Sequence, residues 1–478
     1  MGGTKKSNSI HRDMISSLPD DLLCHILSFL STKEAALTPV LSKRWSNLLQ
    51  LLPFLDFDDS VLLNPKKGQR RRNGVFEDFV DRLLSRRVET SSSPVQRVSL
   101  KCRQGGVTPD CIIRWILTIV MDLGVLDLSL AIDFGILHLP SNVFKSNTLV
   151  KLRIGTMIRL SHFPSYLVSP TLKSLVLDLV EFRDGVKVEF KPILLSFPLL
   201  QSLQILESNK WNFWNGSASC RALKSLIYTS DVDCCDPKPC VSFDSPSLVY
   251  LEYSDVVADK YENLMLDSLV EARIDLHLNA DQIMRKPKGI GFVPGDVTNL
   301  LKGLRNVKIL CLSPDALEAL YYRGVRIPVF NNLISLSLGS DRPHGTPLIF
   351  WKLLPSLLRN SLNLETLIIK GLVRYVVQGW ENGYVNTSPT SLVYFSWDDV
   401  YDSLSSSAMK VLEITGYKGT CQELNQMKCF LGKLQHLQMA RVCLKAMDVR
   451  ERNRITKDLL LLPKVSSNCE IQVMKETA

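Results

Sequence analysis

One pattern, with apolar residues at the first, fourth and sixth positions of a short segment, recurs down most of this chain and limits what it can fold into. It stands as Val95/Val98/Leu100, Val125/Leu128/Leu130, Leu149/Leu152/Ile154, Leu172/Leu175/Leu177, Leu200/Leu203/Ile205, Leu223/Leu226/Tyr228, Leu248/Leu251/Tyr253, Leu269/Ala272/Ile274, Val307/Leu310/Leu312, Leu333/Leu336/Leu338 and Leu364/Leu367/Ile369. From Leu149 to Leu248 successive units start 23, 28, 23 and 25 residues apart. The last two apolar positions of each unit alternate as in a short strand that turns one face inward. A unit of that size cannot bury its apolar side alone, so stacked neighbours must share one continuous core.

A period of about 20 to 29 residues is that of leucine-rich repeats. The expected architecture is therefore α/β: a curved leucine-rich-repeat solenoid over residues 95–387 with a strand-lined concave face. Its units are uneven. Starts 38 residues apart at Leu269 and Val307, and 31 apart at Leu333 and Leu364, imply inserted loops. The ladder Asn or Cys that usually follows the strand is replaced by Met157, Val180, Ser208, Asp231 and His277. The turns then lack their usual buried side-chain partner, which predicts uneven curvature.

Residues 13–53 carry a different signal. Ser17 followed by Asp20 is a capping-box pattern with Pro19 in the first turn, and Leu18, Leu22, Leu23, Ile26, Leu27 and Leu30 follow at helical spacing as a wide apolar stripe. Ser31 and Glu34 repeat the pattern for a second helix. Ser42 opens a third, through Trp45, Leu48 and Leu49, until Pro53 stops it. Three helices in about 40 residues are marginal alone, so their apolar surface must meet the rest of the chain or another protein.

Leu18-Pro19-Asp20-Asp21-Leu22-Leu23, Ile26-Leu27-Ser28-Phe29-Leu30 and Leu41-Ser42-Lys43-Arg44-Trp45 together resemble the F-box family. That resemblance implies docking on a Skp-type adaptor, and through it on a cullin-RING ubiquitin ligase. It makes Leu18, Pro19, Leu22, Ile26, Leu30 and Trp45 the adaptor contacts or their immediate support. Pro39 departs from the usual Ser of plant relatives, and a proline there is expected to end or kink the second helix.

The C-terminal stretch 409–431 reads as a strand, a turn at Gly416 and Gly419, and a helix capped by Thr420 and Glu423 with Leu424, Met427 and Leu431 inward. Leu462-Pro463-Lys464 reads as a helix stop, and the chain ends on a strand reaching Ile471. These features resemble the FBD domain, here over residues 388–474, for which an α+β cap on the open end of the solenoid is the expected role.

Composition fits a large adaptor. The 478 residues are 45% hydrophobic and 22% charged, enough for several units. The 57 basic and 48 acidic residues are interspersed, which gives no nucleic-acid footprint. Twelve cysteines without regular spacing, and no apolar leader after Lys5 and Lys6, point to a reducing compartment. Arg114 and Asp122 interrupt the most membrane-like stretch. Cys234, Cys235 and Cys240 lack a matching pair at zinc spacing, and no phosphate loop, nucleophile elbow or zinc-protease motif occurs. Glu423 and Asp448 have helix-cap roles open to them.

The sequence thus predicts a disordered terminus over 1–12, an F-box over 13–53, a linker and helix with a basic loop over 54–94, then the repeats and the FBD. The basic run 66–72 reads as a solvated loop, with a nuclear import signal as the rival. The expected function is that of a non-catalytic substrate receptor of a Skp-cullin-F-box ubiquitin ligase, nuclear or cytoplasmic, holding a target protein on the repeats. No catalytic, cofactor or metal residue is assigned. The alternatives are a ligase-independent repeat scaffold and a ligand-sensing repeat receptor.

Overall fold

A computed structural model describes residues 15, 17–40, 43–60, 69–103 except 91–94, 106–133, 137–156, 158–160, 169–182, 197–206, 217–230, 239–279, 282, 295, 297–339, 347–371, 397–445 and 448–475. The chain divides into two compact units, Met1–Gly185 and Val186–Ala478.

The first unit opens with the helices α1 (Asp20–Leu27), α2 (Thr32–Leu37) and α3 (Lys43–Leu48). Behind them five parallel strands lie side by side in chain order: Phe54–Asp58, Arg97–Cys102, Asp127–Ile132, Lys151–Gly155 and Ser174–Asp178. Leu55, Val98, Leu128, Leu152 and Leu175 face one another across them as one buried row. The helices α4 (Gln69–Thr90) and α5 (Pro109–Leu117) connect the early strands. Three shorter parallel strands, Leu137–His138, Ile158–Leu160 and Glu181–Phe182, form a second ladder.

The second unit repeats the scheme with ten parallel strands: Ser202–Leu206, Ser225–Thr229, Tyr250–Val256, Glu271–His277, Ile309–Leu312, Ser335–Gly339, Thr366–Lys370, Val411–Tyr417, Met439–Leu444 and Glu470–Lys475. The register aligns Leu203, Leu226, Leu251, Ala272, Leu310, Leu336, Leu367, Leu412, Ala440 and Ile471 in an unbroken row. Each buried leucine contributes about 1.5–3 kcal/mol. Two rungs are aromatic: Tyr228 stacks on Tyr253 at 5.8 Å, with Phe243 edge-on to Tyr253 at 5.5 Å. The buried Tyr253 hydroxyl donates to Asp255 Oδ2 at 3.0 Å, which satisfies the phenol inside the core.

All eleven repeat segments read from the sequence fall on strands with their last two apolar positions inward. Several expectations need correction. Residues 54–58 are a strand and not a linker, because the alternation in Phe54-Leu55-Asp56-Phe57-Asp58 buries Leu55 and Phe57 against Val98 and Leu100. Residues 69–72 of the basic run begin α4 and are not loop; residues 66–68 lie outside the described residues. The long interval before Leu364 holds the helix Pro347–Arg359, where a loop was expected. The interval before Val307 holds the helix Thr298–Gly303; residues 280–281, 283–294 and 296 of it lie outside the described residues.

The C-terminal piece forms the expected strand and helix, with the Thr420–Glu423 capping box complete. It does more than cover an end, for it adds three strands in register to the same ladder. Met409/Leu412/Ile414 and Leu437/Ala440/Val442 are two further repeat units, their six side chains all buried. Of the replaced ladder positions, Val180 is buried and His277 lies on the strand face; Met157, Ser208 and Asp231 lie outside the described residues. The turns after two strands hold Thr156 at φ +44° and Leu179 at φ +52°, left-handed conformations that L residues adopt at about 1 kcal/mol or more each. No described helix is long and apolar enough to cross a membrane.

Candidate functional site

The apolar stripe of α1 divides into two faces. Leu23 and Leu27 are fully buried, and α1 packs on α3 and on the turn Leu49–Leu51. Leu22 and Ile26, four residues apart on the other side, remain 50% and 41% exposed. Just beyond the helix, Phe29 is 77% exposed and Leu30 39%. Ile15, Leu37 and Val40 are exposed as well. A concentration of large apolar side chains in water on so short a stretch marks an interaction surface.

Of the six residues singled out by sequence, Leu22, Ile26 and Leu30 lie on this exposed side, Pro19 is exposed and Leu18 is half-buried. Trp45 is 3% exposed and lies in the core of the helical module. Pro19 itself is the N-cap of α1 and gives no side-chain capping hydrogen bond, so the helix begins at Asp20. The Ser31–Glu34 capping box of α2 is complete. Ser42 lies outside the described residues. Sequence reasoning did not single out Phe29, Leu37, Val40 or Ile15. Phe29 could have been found, since it sits inside the motif that carried the resemblance.

Arg44 was also passed over. Its guanidinium donates to Asp20 Oδ1 at 2.5 and 2.9 Å and to the Leu18 carbonyl at 2.7 Å, which ties α3 to the start of α1. Two further bonds key the helical module to the first strand and to α4. The Asp56 amide donates to Thr32 Oγ1 at 2.6 Å, joining α2 to that strand, and the buried Arg87 of α4 donates to the Leu52 carbonyl. Burial pushes the Arg87 guanidinium down to about 10. The helix α4 is braced in turn by Asp81, which accepts from Trp115 Nε1 at 2.6 Å and from Arg114 Nη2 at 3.0 Å.

The open strand faces are polar. In the first unit Arg97–Asp127, Lys101–Asp56 and Arg153–Asp178 pair across neighbouring strands at 2.9, 3.3 and 2.6 Å. Exposed pairs of this kind contribute about 0–1 kcal/mol each and chiefly keep the face wet. In the second unit His277 closes its strand between two carboxylates, Asp275 and Asp315. Burial works against the ring's charge, but hydrogen bonds to both carboxylates outweigh it and raise His277 to about 9.

Comparison with known proteins accounts for the two-part arrangement. The F-box domain family matches residues 15–57. Over its whole length the chain is 74% identical to an Arabidopsis thaliana relative named F-box protein At3g59150, covering all of both chains. It is 41% identical to the F-box/LRR-repeat protein At2g42720 of the same plant, over 97% of this chain and 100% of the relative. It is also 38% identical to the putative F-box/FBD/LRR-repeat protein At3g59240, over 98% and 90%. The fold and its N-terminal helices therefore define an F-box domain followed by an α/β repeat array. The chain belongs to the plant F-box/LRR-repeat family, which includes F-box/FBD/LRR members.

Proposed function

We propose that this chain is the substrate-recognition subunit of a Skp-cullin-F-box ubiquitin ligase. The observation that carries this reading is the division of α1, with Leu23 and Leu27 spent on the fold and Leu22, Ile26, Phe29 and Leu30 left for a partner. The partner is a Skp-type adaptor, and the repeats of each unit act as a leucine-rich-repeat solenoid whose open strand face holds a target protein. The FBD segment completes the end of that array. No residue of the chain does chemistry on the target; the chain raises the effective concentration of target near the ligase. The setting is nuclear or cytoplasmic.

The test is adaptor capture. Full-length Leu22→Ala and Ile26→Ala proteins, shown by circular dichroism to keep their helicity, are expected to bind a purified Skp-type adaptor at least tenfold more weakly, the loss of about 1.4 kcal/mol or more expected of an anchor in an interface. Wild-type affinity in both folded variants would place the docking face elsewhere and favour the ligase-independent scaffold.

A further inference from the structure

The last strand of the second unit, Glu470–Lys475, pairs in full register with Met439–Leu444 on one side and with no strand on the other among the described residues. The Glu470 amide donates to the Gln438 carbonyl at 2.9 Å. Backbone groups alternate sides along a strand, so those of Gln472 and Met474 also face the ladder. The N–H and C=O of Ile471, Val473 and Lys475 therefore point to the free side.

The apolar interior is unfinished at the same place. Ile471 and Val473 continue the rows of Ala440 and Val442, which are buried, yet are only half-buried themselves. The helix Val449–Leu460 turns Ile455 and Leu459 inward, and Arg454 ties one side of it to the Gly419 carbonyl of the preceding unit. At 100° per residue Val449 and Leu460 fall within about 20° of each other, on the side turned away from Arg454. They are 62% and 56% exposed, and Val465 in the following turn is 54% exposed. Natural sheet edges are commonly blunted by a proline, a bulge or a charge in mid-strand. This edge is six residues long, unbroken, and charged only at its ends, Glu470 and Lys475.

The charges around the edge are one-sided. Glu451 and Asp458 are matched by Arg454, and Asp448 caps the helix. Arg450, Arg452, Lys457 and Lys475 are exposed and pair with no carboxylate among the described residues. A second copy of this chain would bring two such cationic rims together, whereas an acidic segment would neutralise one.

We propose that the free edge of Glu470–Lys475 takes an extended segment of a partner protein as one further strand. That segment is apolar at the alternate positions that meet Ile471 and Val473, and acidic where it passes Arg452 and Lys475. Main-chain hydrogen bonds supply its affinity, and the alternate side chains and flanking acids supply its specificity.

The probes are synthetic peptides of alternating valine and threonine ended in glutamates, titrated against the full-length chain by fluorescence polarisation. The acidic peptide is expected to bind saturably, and more weakly as salt rises. A lysine-ended peptide, and an acidic one N-methylated at alternate residues so that it cannot donate to the edge, should each bind about tenfold more weakly or worse. Val473→Pro removes an outward N–H and leaves every bond to Met439–Leu444, so it should keep its melting temperature and lose the peptide. Arg452→Glu combined with Lys475→Glu should reverse the preference between acidic and basic peptides. Hydrogen exchange should slow in residues 470–475 when the acidic peptide binds. No saturable binding, equal binding of the methylated peptide, or protection confined to other strands would overturn the proposal. Concentration-dependent self-association of the wild type that Val473→Pro abolishes would also overturn it, by giving the edge to a second copy. Should Val473→Pro fail to fold, the methylated peptide and the charge-reversed variant decide.

Discussion

At the scale of single residues, neighbours in sequence carry opposite duties in α1. Leu27 and Trp45 are buried, so Leu27→Ala and Trp45→Ala are expected to destabilise the first unit by about 2–5 kcal/mol, read by denaturant unfolding, with adaptor affinity of the remaining folded protein little changed. A wide stripe in the sequence shows that these positions are apolar but not which edge turns inward, because that depends on where α3 and the turn Leu49–Leu51 come to rest. Arg44 was hidden for the same reason, since its partners Asp20 and Leu18 are distant in sequence. Glu34 gives a pH dependence. Hydrogen bonds from the Ser31 backbone and side chain hold its carboxyl below its ordinary 4.5. A depressed acid contributes its stability above the ordinary value and loses it as pH falls through the folded one. Thermal midpoints of wild type and Glu34→Gln should therefore converge as pH drops below 4.5.

Elements were legible wherever local chemistry sufficed. The capping boxes at Ser31 and Thr420 and the eleven repeat strands needed only nearby residues. The strand Met439–Leu444 escaped because its unit Leu437/Ala440/Val442 lies in the stretch read as a C-terminal cap, and Phe54–Asp58 because the leading residue of its unit Leu52/Leu55/Phe57 falls in the stretch read as the helical module. Pro39 is a matter of element ends. The α-helix α2 already stops at Leu37, and Pro39 sits in the single tight turn Thr38–Val40. Pro39→Ser is thus expected to change adaptor affinity by less than tenfold in a titration. The turn before the helix Cys421–Lys433 is less forgiving. Gly419 has φ +74°, and an added Cβ would lie 2.3 Å from Ile455 Cγ1. Gly419→Ala should cost about 2 kcal/mol or more in unfolding experiments, and Ile455→Val in the same protein should return part of it.

For the whole molecule, the parallel register makes each strand depend on the next. Val411–Tyr417 pairs along the full length of Thr366–Lys370, so removing residues 397–478 would strip one side of that strand. Hydrogen exchange of the truncated chain should rise in Thr366–Lys370 and then in Ser335–Gly339, while the exchange of α1 stays as in the full chain because it belongs to the other unit. Unchanged protection in both strands would mean that the C-terminal strands are a separate domain. Sequence repeats reveal that such an array exists but not where it ends, since residues 388–474 were read as a cap while the strands Val411–Tyr417, Met439–Leu444 and Glu470–Lys475 continue the same ladder.

The bonds from Asp56 to Thr32 and from Arg87 to Leu52 make a hydrogen-bonded elbow in the first unit, where its short helices meet the first strand and α4. A tether would let a captured protein sweep a sphere and present many lysines in turn. An elbow presents the same few, at one angle and one reach, each time. Under the proposed function, this joint is a ruler: it selects the acceptor lysine by geometry, so a target shifted by one helical turn would be held equally well and modified at a different place, or not at all.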